Sequence, residues 1–251
     1  MTDLTCALDD GVAVLTLTRP HRRNALSDDL MAHLDRVLTE LCEDPAVGAV
    51  LLTGEAPGFC AGSDVVELAE MTIPQMRDHE LRTAAVCRRI VSGRLPVVAA
   101  VEGFALGGGM LLAACCDVIV SGRGARWSLP EARLGWLPPW GLETLAARVG
   151  RSRARQLVLD YEPLSAERGY QIGFVDALAA DGEALTAGLR IAQRIRDLPA
   201  AAVRSTKEYF AHLAGYPAEV GDLVAARLFE SDCTTEAAQS SFTRFSRARR
   251  D

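Results

Sequence analysis

Three consecutive glycines, Gly107-Gly108-Gly109, stand between two short apolar stretches, Val97 to Val101 and Met110 to Cys116. Glycine weakens the interior of a helix or strand, so the triplet marks a turn whose backbone needs a conformation or a close approach that side chains prevent. The stretch before it, introduced by Pro96, reads as a buried strand, and the stretch after it as a buried helix. No Lys-Ser or Lys-Thr follows, so the triplet is not a phosphate-binding P-loop, and the GxGxxG spacing of a dinucleotide site is absent. A second loop, Gly58-Phe59-Cys60-Ala61-Gly62-Ser63-Asp64, stands in the same way after an apparent strand, Ala49 to Thr53. Free backbone N–H groups occur at such helix starts. Two of them aimed at one point would hold a negative oxygen. Taken singly, either loop reads equally as a tight turn.

The rest of the chain bounds the fold. Val12 to Thr18 reads as a strand ended by Arg19-Pro20. Ser27 opens a helix whose apolar face is Leu30, Leu34, Val37, Leu38 and Leu41. Residues Ile73 to Ser92 read as helix, and Val118 to Val120 as strand. This alternation predicts an α/β fold. From about Leu142 the pattern is helical: Leu142 to Val149, Arg151 to Leu159, a Ser165-capped helix from Ala166 to Ile172, then Ala184 to Asp197, Ala200 to Ala211, Val220 to Glu230 and Thr235 to Arg247. A chain of 251 residues has ample length for a core. Its formal charge of −6 speaks against nucleic acid as a partner. The arginine-rich end, Arg244 to Arg250, reads as a solvated tail. Seven scattered cysteines without a CxxC pair fit a reducing cytoplasm rather than a disulfide framework. Met1 to Asp10 lacks a secretory apolar segment, and no apolar run has membrane-spanning length. His21, His33, His79 and His212 have no partner at metal-ligand spacing, so no metal is expected.

Several motifs occur in one order. Arg19-Pro20 through Asn24-Ala25-Leu26 resembles the RPxxxNAL opening of the crotonase family, the enoyl-CoA hydratase/isomerase superfamily. Phe59 to Asp64 resembles its FxAGxD signature, Gly103 to Gly109 its GxAxGGG turn, and Pro130-Glu131 with Leu134-Gly135 its PExxLG segment. Residues Ala166 to Val175 resemble its later helix-to-GxV stretch. The resemblance spans roughly Val12 to Leu178. It implies a crotonase-like spiral of ββα units over residues 1–178, and a helical C-terminal region over 179–251 that builds a homotrimer or hexamer. It further implies an acyl-CoA substrate whose thioester oxygen is held by the Ser63 and Gly108 amides. No cofactor beyond the substrate's own coenzyme A is implied, and no membrane. For the coenzyme A portion the resemblance points to Arg22, Arg23, Ala25, Ala61, Gly62 and Asp64, with Lys207 from the C-terminal helices. Asp64 also reads as a helix-start residue.

An oxyanion site does not select a reaction; acid–base side chains do. Hydratases of the family use two glutamates, one just after the glycine turn and one in the PExxLG segment. Here those places hold Leu111 and Glu131. Moving a double bond from the 3,4 to the 2,3 position needs one carboxylate, and Δ3,Δ2-enoyl-CoA isomerases of the family are similar in carrying leucine and glutamate there. Dienoyl-CoA isomerases add an aspartate where this chain has Pro139. The expectation is therefore an enoyl-CoA isomerase with Glu131 as proton carrier in a pocket walled by Leu111, Trp136, Leu137 and Trp140. The alternatives are an enoyl-CoA hydratase, an acyl-CoA decarboxylase or other lyase, and a non-catalytic coenzyme A-binding subunit.

Overall fold

The computed structural model describes residues 3–160, 162–213 and 218–247. The strands are β1 (Leu4–Asp9), β2 (Val12–Leu17), β3 (Ala49–Gly54), β4 (Val97–Val101), β5 (Phe104–Leu106), β6 (Val118–Gly122), β7 (Arg126–Ser128), β8 (Leu164–Ser165) and β9 (Ala177–Ala179). The helices are α1 (Asp28–Glu43), α2 (Val65–Leu68), α3 (Ile73–Ser92), α4 (Gly108–Ala114), α5 (Glu131–Leu134), α6 (Leu142–Val149), α7 (Arg151–Leu159) and α8 (Ala166–Gln171). They continue as α9 (Ala184–Arg196), α10 (Ala200–Leu213), α11 (Ala218–Asp232) and α12 (Glu236–Arg247). A six-stranded sheet runs in the order β1-β2-β3-β4-β6-β9, and a three-stranded sheet in the order β5-β7-β8. The β1–β2 pair is antiparallel, and every other pair of the large sheet is parallel.

Both faces of the large sheet are covered, which explains why β3 and β4 are almost wholly apolar. Val50, Leu52, Ala99 and Val101 face the main core, which also takes Leu34 of α1 and Cys87 of α3. Ala49, Leu51, Val98 and Ala100 face a second core closed by Ala184 and Ala192 of α9. Full burial of a leucine contributes about 1.5–3 kcal/mol. Gly188 lets α9 lie close, since a Cβ there would sit 2.9 Å from Leu51 Cδ1. Thus α9, which follows the division at residue 178, packs on the sheet that precedes it.

The α/β class and the residue bounds of α3, α6 and α7 match the sequence reading. Ser27 caps α1 by accepting from the Leu30 amide at 3.2 Å, and Ser165 caps α8 by accepting from the Arg168 amide. Strand β1 was not expected. It lies at the sheet edge with only Leu4 buried, so it shows no apolar face. The uniformly helical second half is also corrected, because β8 and β9 interrupt it. Among the described residues no helix is long and apolar enough to cross a membrane. Met1, Thr2, the side chain of His212, and Arg249 and Arg250 of the basic end lie outside the described residues.

Lys207 is a second correction. Its ammonium donates to Ile90 O and Leu95 O, both at 2.9 Å, and to Asp117 Oδ2 at 2.8 Å. All three donors are used inside the fold, so Lys207 ties α10 to the end of α3 rather than meeting a phosphate. Lys207→Met is expected to destabilise the protein toward the lower end of the ~3–5 kcal/mol typical of a broken buried pair, because Asp117 stays partly solvated. Urea denaturation measures it, with coenzyme A affinity of the folded variant unchanged.

Candidate active site

The two glycine loops meet at the edge of the small sheet. Leu106 N–H donates to Cys60 O and Phe59 N–H to Phe104 O, both at 2.9 Å, which lays Cys60 beside Ala105. On the other side Leu26 N–H donates to Gly62 O at 2.8 Å, and Asp64 N–H to Leu26 O at 2.9 Å. Gly107 N–H donates to Ser128 O at 2.8 Å. The amides of Ser63 and Gly108 take no part in this ladder. They lie close together: a Cβ on Gly108 would stand 3.4 Å from Ser63 N, and one on Gly62 would stand 3.0 Å from Gly108 N.

The sequence has glycine here for two separate reasons. Gly107 takes a φ of +53°, a left-handed conformation that lets the chain leave β5 and start α4. Gly109 has no room for a side chain, because a Cβ would stand 2.3 Å from Cys60 O. Close backbone approach of the two loops thus depends on the third glycine.

Glu131 opens α5 directly opposite Gly107. Its Oε1 would lie 2.9 Å from a Cβ on that glycine. The residue is only 7% exposed, and its Oε2 has no hydrogen-bond partner. Burial pushes its carboxyl up to about 8, opposed by its own backbone amide and reinforced by the charge of Glu80. An acid of that strength can take and return a proton near neutral pH.

The pocket around this carboxyl is lined by Gly62, Ser63, Leu68, Gly108, Leu111, Leu134, Trp136, Pro139 and Trp140, and by Glu80. Leu111, Trp136 and Trp140 are walls, as expected from the sequence. Leu137 is not; Leu134 and Pro139 line the pocket instead. The C-terminal helices of the same chain back the Trp136 wall. Trp136 stacks on Phe242 of α12 at 4.8 Å with an interplanar angle of 1°, and meets Phe229 of α11 edge-on.

Glu80 is the residue that sequence reasoning missed. It is 2% exposed, and its Oε2 accepts from Trp140 Nε1 at 2.8 Å. The Ser63 side chain lies in the same pocket and favours the charged form of Glu80. Burial raises its carboxyl, while His79, Ser63 and Trp140 pull the other way. A signal existed: Met76, Glu80, Thr83 and Cys87 follow helical spacing on the buried face of α3, so Glu80 was a glutamate on an apolar stripe.

The remaining expected residues are dispersed. Asp64 caps α2, accepting from the Val66 and Glu67 amides, and pairs with Arg19 at 3.1 Å. Those contacts fit the helix-start reading of Asp64. Ala25 is buried, with its carbonyl accepting from Arg19. Ala61 and Gly62 line the pocket, whereas Arg22 and Arg23 lie outside its lining. The Arg23 carbonyl accepts from the Ala61 amide, and its guanidinium stacks over Phe104 at 4.4 Å. Asn24 fixes this opening loop by donating to Glu55 O and Gly58 O. His79 does not line the pocket; its Nδ1 lies 3.1 Å from Asp28 Oδ1. Asp28, Glu67 and His79 offer ligand atoms within 4.8 Å of one another. Arg82 already binds both Asp28 oxygens, which makes the cluster a brace between helices rather than a cation site.

The family model for enoyl-CoA hydratase/isomerase matches residues 7–251. A probable enoyl-CoA hydratase of Mycobacterium bovis is 34% identical over 229 residues, covering 91% of this chain and 88% of that protein. A short-chain-enoyl-CoA hydratase of Clostridium acetobutylicum is 36% identical over 199 residues, covering 78% and 76%. The crystal structure of an enoyl-CoA hydratase/isomerase from Mycobacterium paratuberculosis superposes with a TM-score of 0.88 at 26% identity, covering 97% of this chain and 98% of that one.

Proposed function

The chain belongs to the enoyl-CoA hydratase/isomerase family, and we propose that within it this protein moves a double bond from the 3,4 to the 2,3 position of an acyl-CoA thioester. The observation that carries this reading is the asymmetry of the two pocket carboxyls. Glu131 has a buried oxygen with no partner, whereas Glu80 accepts from Trp140 at 2.8 Å. One carboxyl is free to carry a proton, and isomerisation needs one. Glu131 takes the proton from C2, and the electron pair delocalises onto the thioester oxygen. The Ser63 and Gly108 amides hold that enolate oxygen. Glu131 then returns the same proton to C4: the C3–C4 π pair takes it, the C1–C2 enolate pair moves to C2–C3, and the oxygen pair restores the thioester carbonyl. Arg22 and Arg23, next to Ala61, are the cations this reading sets against the coenzyme A phosphates.

Hydration is the second reading. It is favoured by the second carboxyl in the same pocket, which offsets the leucine at position 111. It is also favoured by the names of the relatives. Turnover of 3-enoyl-CoA and 2-enoyl-CoA, followed by the conjugated-thioester absorbance, separates the two. Isomerisation predicts conjugation growing from the 3-enoyl substrate with little loss from the 2-enoyl one; rapid loss from 2-enoyl-CoA would replace this reading with hydration. The same assay carries a pH prediction. Glu131 acts as a base in its ionised form, and its carboxyl lies near 8. So kcat/KM for 3-enoyl-CoA rises about tenfold per pH unit below pH 8 and levels above it. A profile flat from pH 6 to 9 would remove Glu131 as the base.

A further inference from the structure

Glu80 stands where three parts of the site converge. Ser63, which carries one of the two free amides, lines the same pocket, and its side chain favours the charged form of Glu80. Trp140, on the loop after α5, donates its indole N–H at 2.8 Å. Glu131 shares the pocket with it. Burial raises the Glu80 carboxyl, and the Trp140 N–H works against that burial, because an anion accepting a hydrogen bond is stabilised relative to its acid. Glu131 accepts only from its own amide. Two carboxyls in one low-dielectric pocket do not readily ionise together, and the one with fewer donors keeps the proton.

We propose that Glu80 is a positioning residue: its carboxylate clamps the Ser63 loop to Trp140, and its fixed negative charge governs how tightly Glu131 holds the proton it transfers. The proposal rests on the reading of Glu131 as the proton carrier and holds for either reaction. It also gives the Ser63 side chain a task, since the hydroxyl orients the residue whose amide faces the thioester oxygen.

Other charged groups surround the pair. On α3 itself His79 adjoins Glu80, and Asp28 at the start of α1 faces it through His79. Glu67 of α2 lies in the same cluster, balanced by Arg82 on Asp28. From α11 come Asp232, which accepts from the Leu137 amide, and Asp222, which is paired with Arg88. Cys233 beyond it feels the Glu80 charge. Only Glu80 among these lines the pocket with Glu131.

The test is a carbon-13 NMR titration of protein labelled at the glutamate side-chain carboxyl carbon. The resonance lost in Glu131→Gln belongs to Glu131. In Glu80→Gln the amide oxygen still accepts from Trp140 and the amide N–H2 faces Ser63, so the clamp is kept in outline and the charge is gone. The Glu131 midpoint is expected to move to lower pH in this variant; a midpoint that stays where it is in wild type overturns the proposal. Ser63→Ala tests the clamp by itself. It is expected to lower kcat about tenfold while KM stays within threefold, since an oriented donor acts on the transition state; equal kcat in Ser63→Ala and wild type overturns that half. The titration does not depend on turnover. Its failure is therefore distinct from failure of the proposed reaction, which shows as a wild-type protein that turns over neither thioester.

Discussion

Glu131→Gln is expected to lower turnover of an acyl-CoA thioester by about 10²–10⁴-fold, the usual worth of a positioned general base. Thioester binding should change by no more than a few-fold. The substitution keeps the size of the side chain and removes its ability to carry a proton. It also puts an uncharged amide in a pocket where burial already disfavours charge, so the fold has no reason to weaken. Isothermal titration with a non-reacting thioester, beside steady-state kinetics, separates the two effects. Loss of binding together with turnover would mean that Glu131 shapes the pocket rather than moving the proton.

Gly108→Ala is expected to lose about 10²–10³ in kcat, the worth of one oxyanion donor. The added Cβ would stand 3.4 Å from Ser63 N and 3.2 Å from Trp140 Cζ2, inside the space between the two amides. Outside the site little should suffer, because only Trp140 must give by a few tenths of an ångström. Position 108 is the first residue of α4, its φ lies outside the left-handed region, and alanine favours a helix more than glycine does. The melting temperature should therefore hold or rise while activity falls. At Gly109 the opposite is expected, because a Cβ there meets the Cys60 backbone and disturbs the fold first. The contrast between two adjacent glycines distinguishes a donor role from a packing role.

Much of this site was legible because its parts are local in sequence. The glycine turn, the Cys60–Ser63 loop and the Pro130-Glu131 start of α5 each declare themselves through residues that no ordinary helix or strand would carry. Helices α3, α6 and α7 were legible from periodicity and flanking glycine or proline. The misses have physical reasons. Strand β1 buries one side chain, and β9 is only three residues long, so neither has a period to read. Lys207 and Glu80 were harder because their roles depend on partners far along the chain: Ile90, Leu95 and Asp117 for the lysine, Ser63 and Trp140 for the glutamate. A sequence shows that a charge falls on an apolar stripe, but only the fold shows what neutralises it. Arg22 and Arg23 were read as coenzyme A ligands from the family resemblance of their loop. The structure puts Arg23 over Phe104 and binds its carbonyl to the Ala61 amide at the pocket edge.

Whether Glu131 draws a proton from C2 of a bound acyl-CoA thioester is open to direct measurement by deuterium NMR. With 3-enoyl-CoA deuterated at C2, wild-type protein should accumulate the conjugated product, and the label lost from C2 should appear at C4. Both signals should vanish in Glu131→Gln. A wild-type protein that binds the thioester and leaves both deuterons on C2 would contradict the enolate chemistry assigned to Ser63, Gly108 and Glu131.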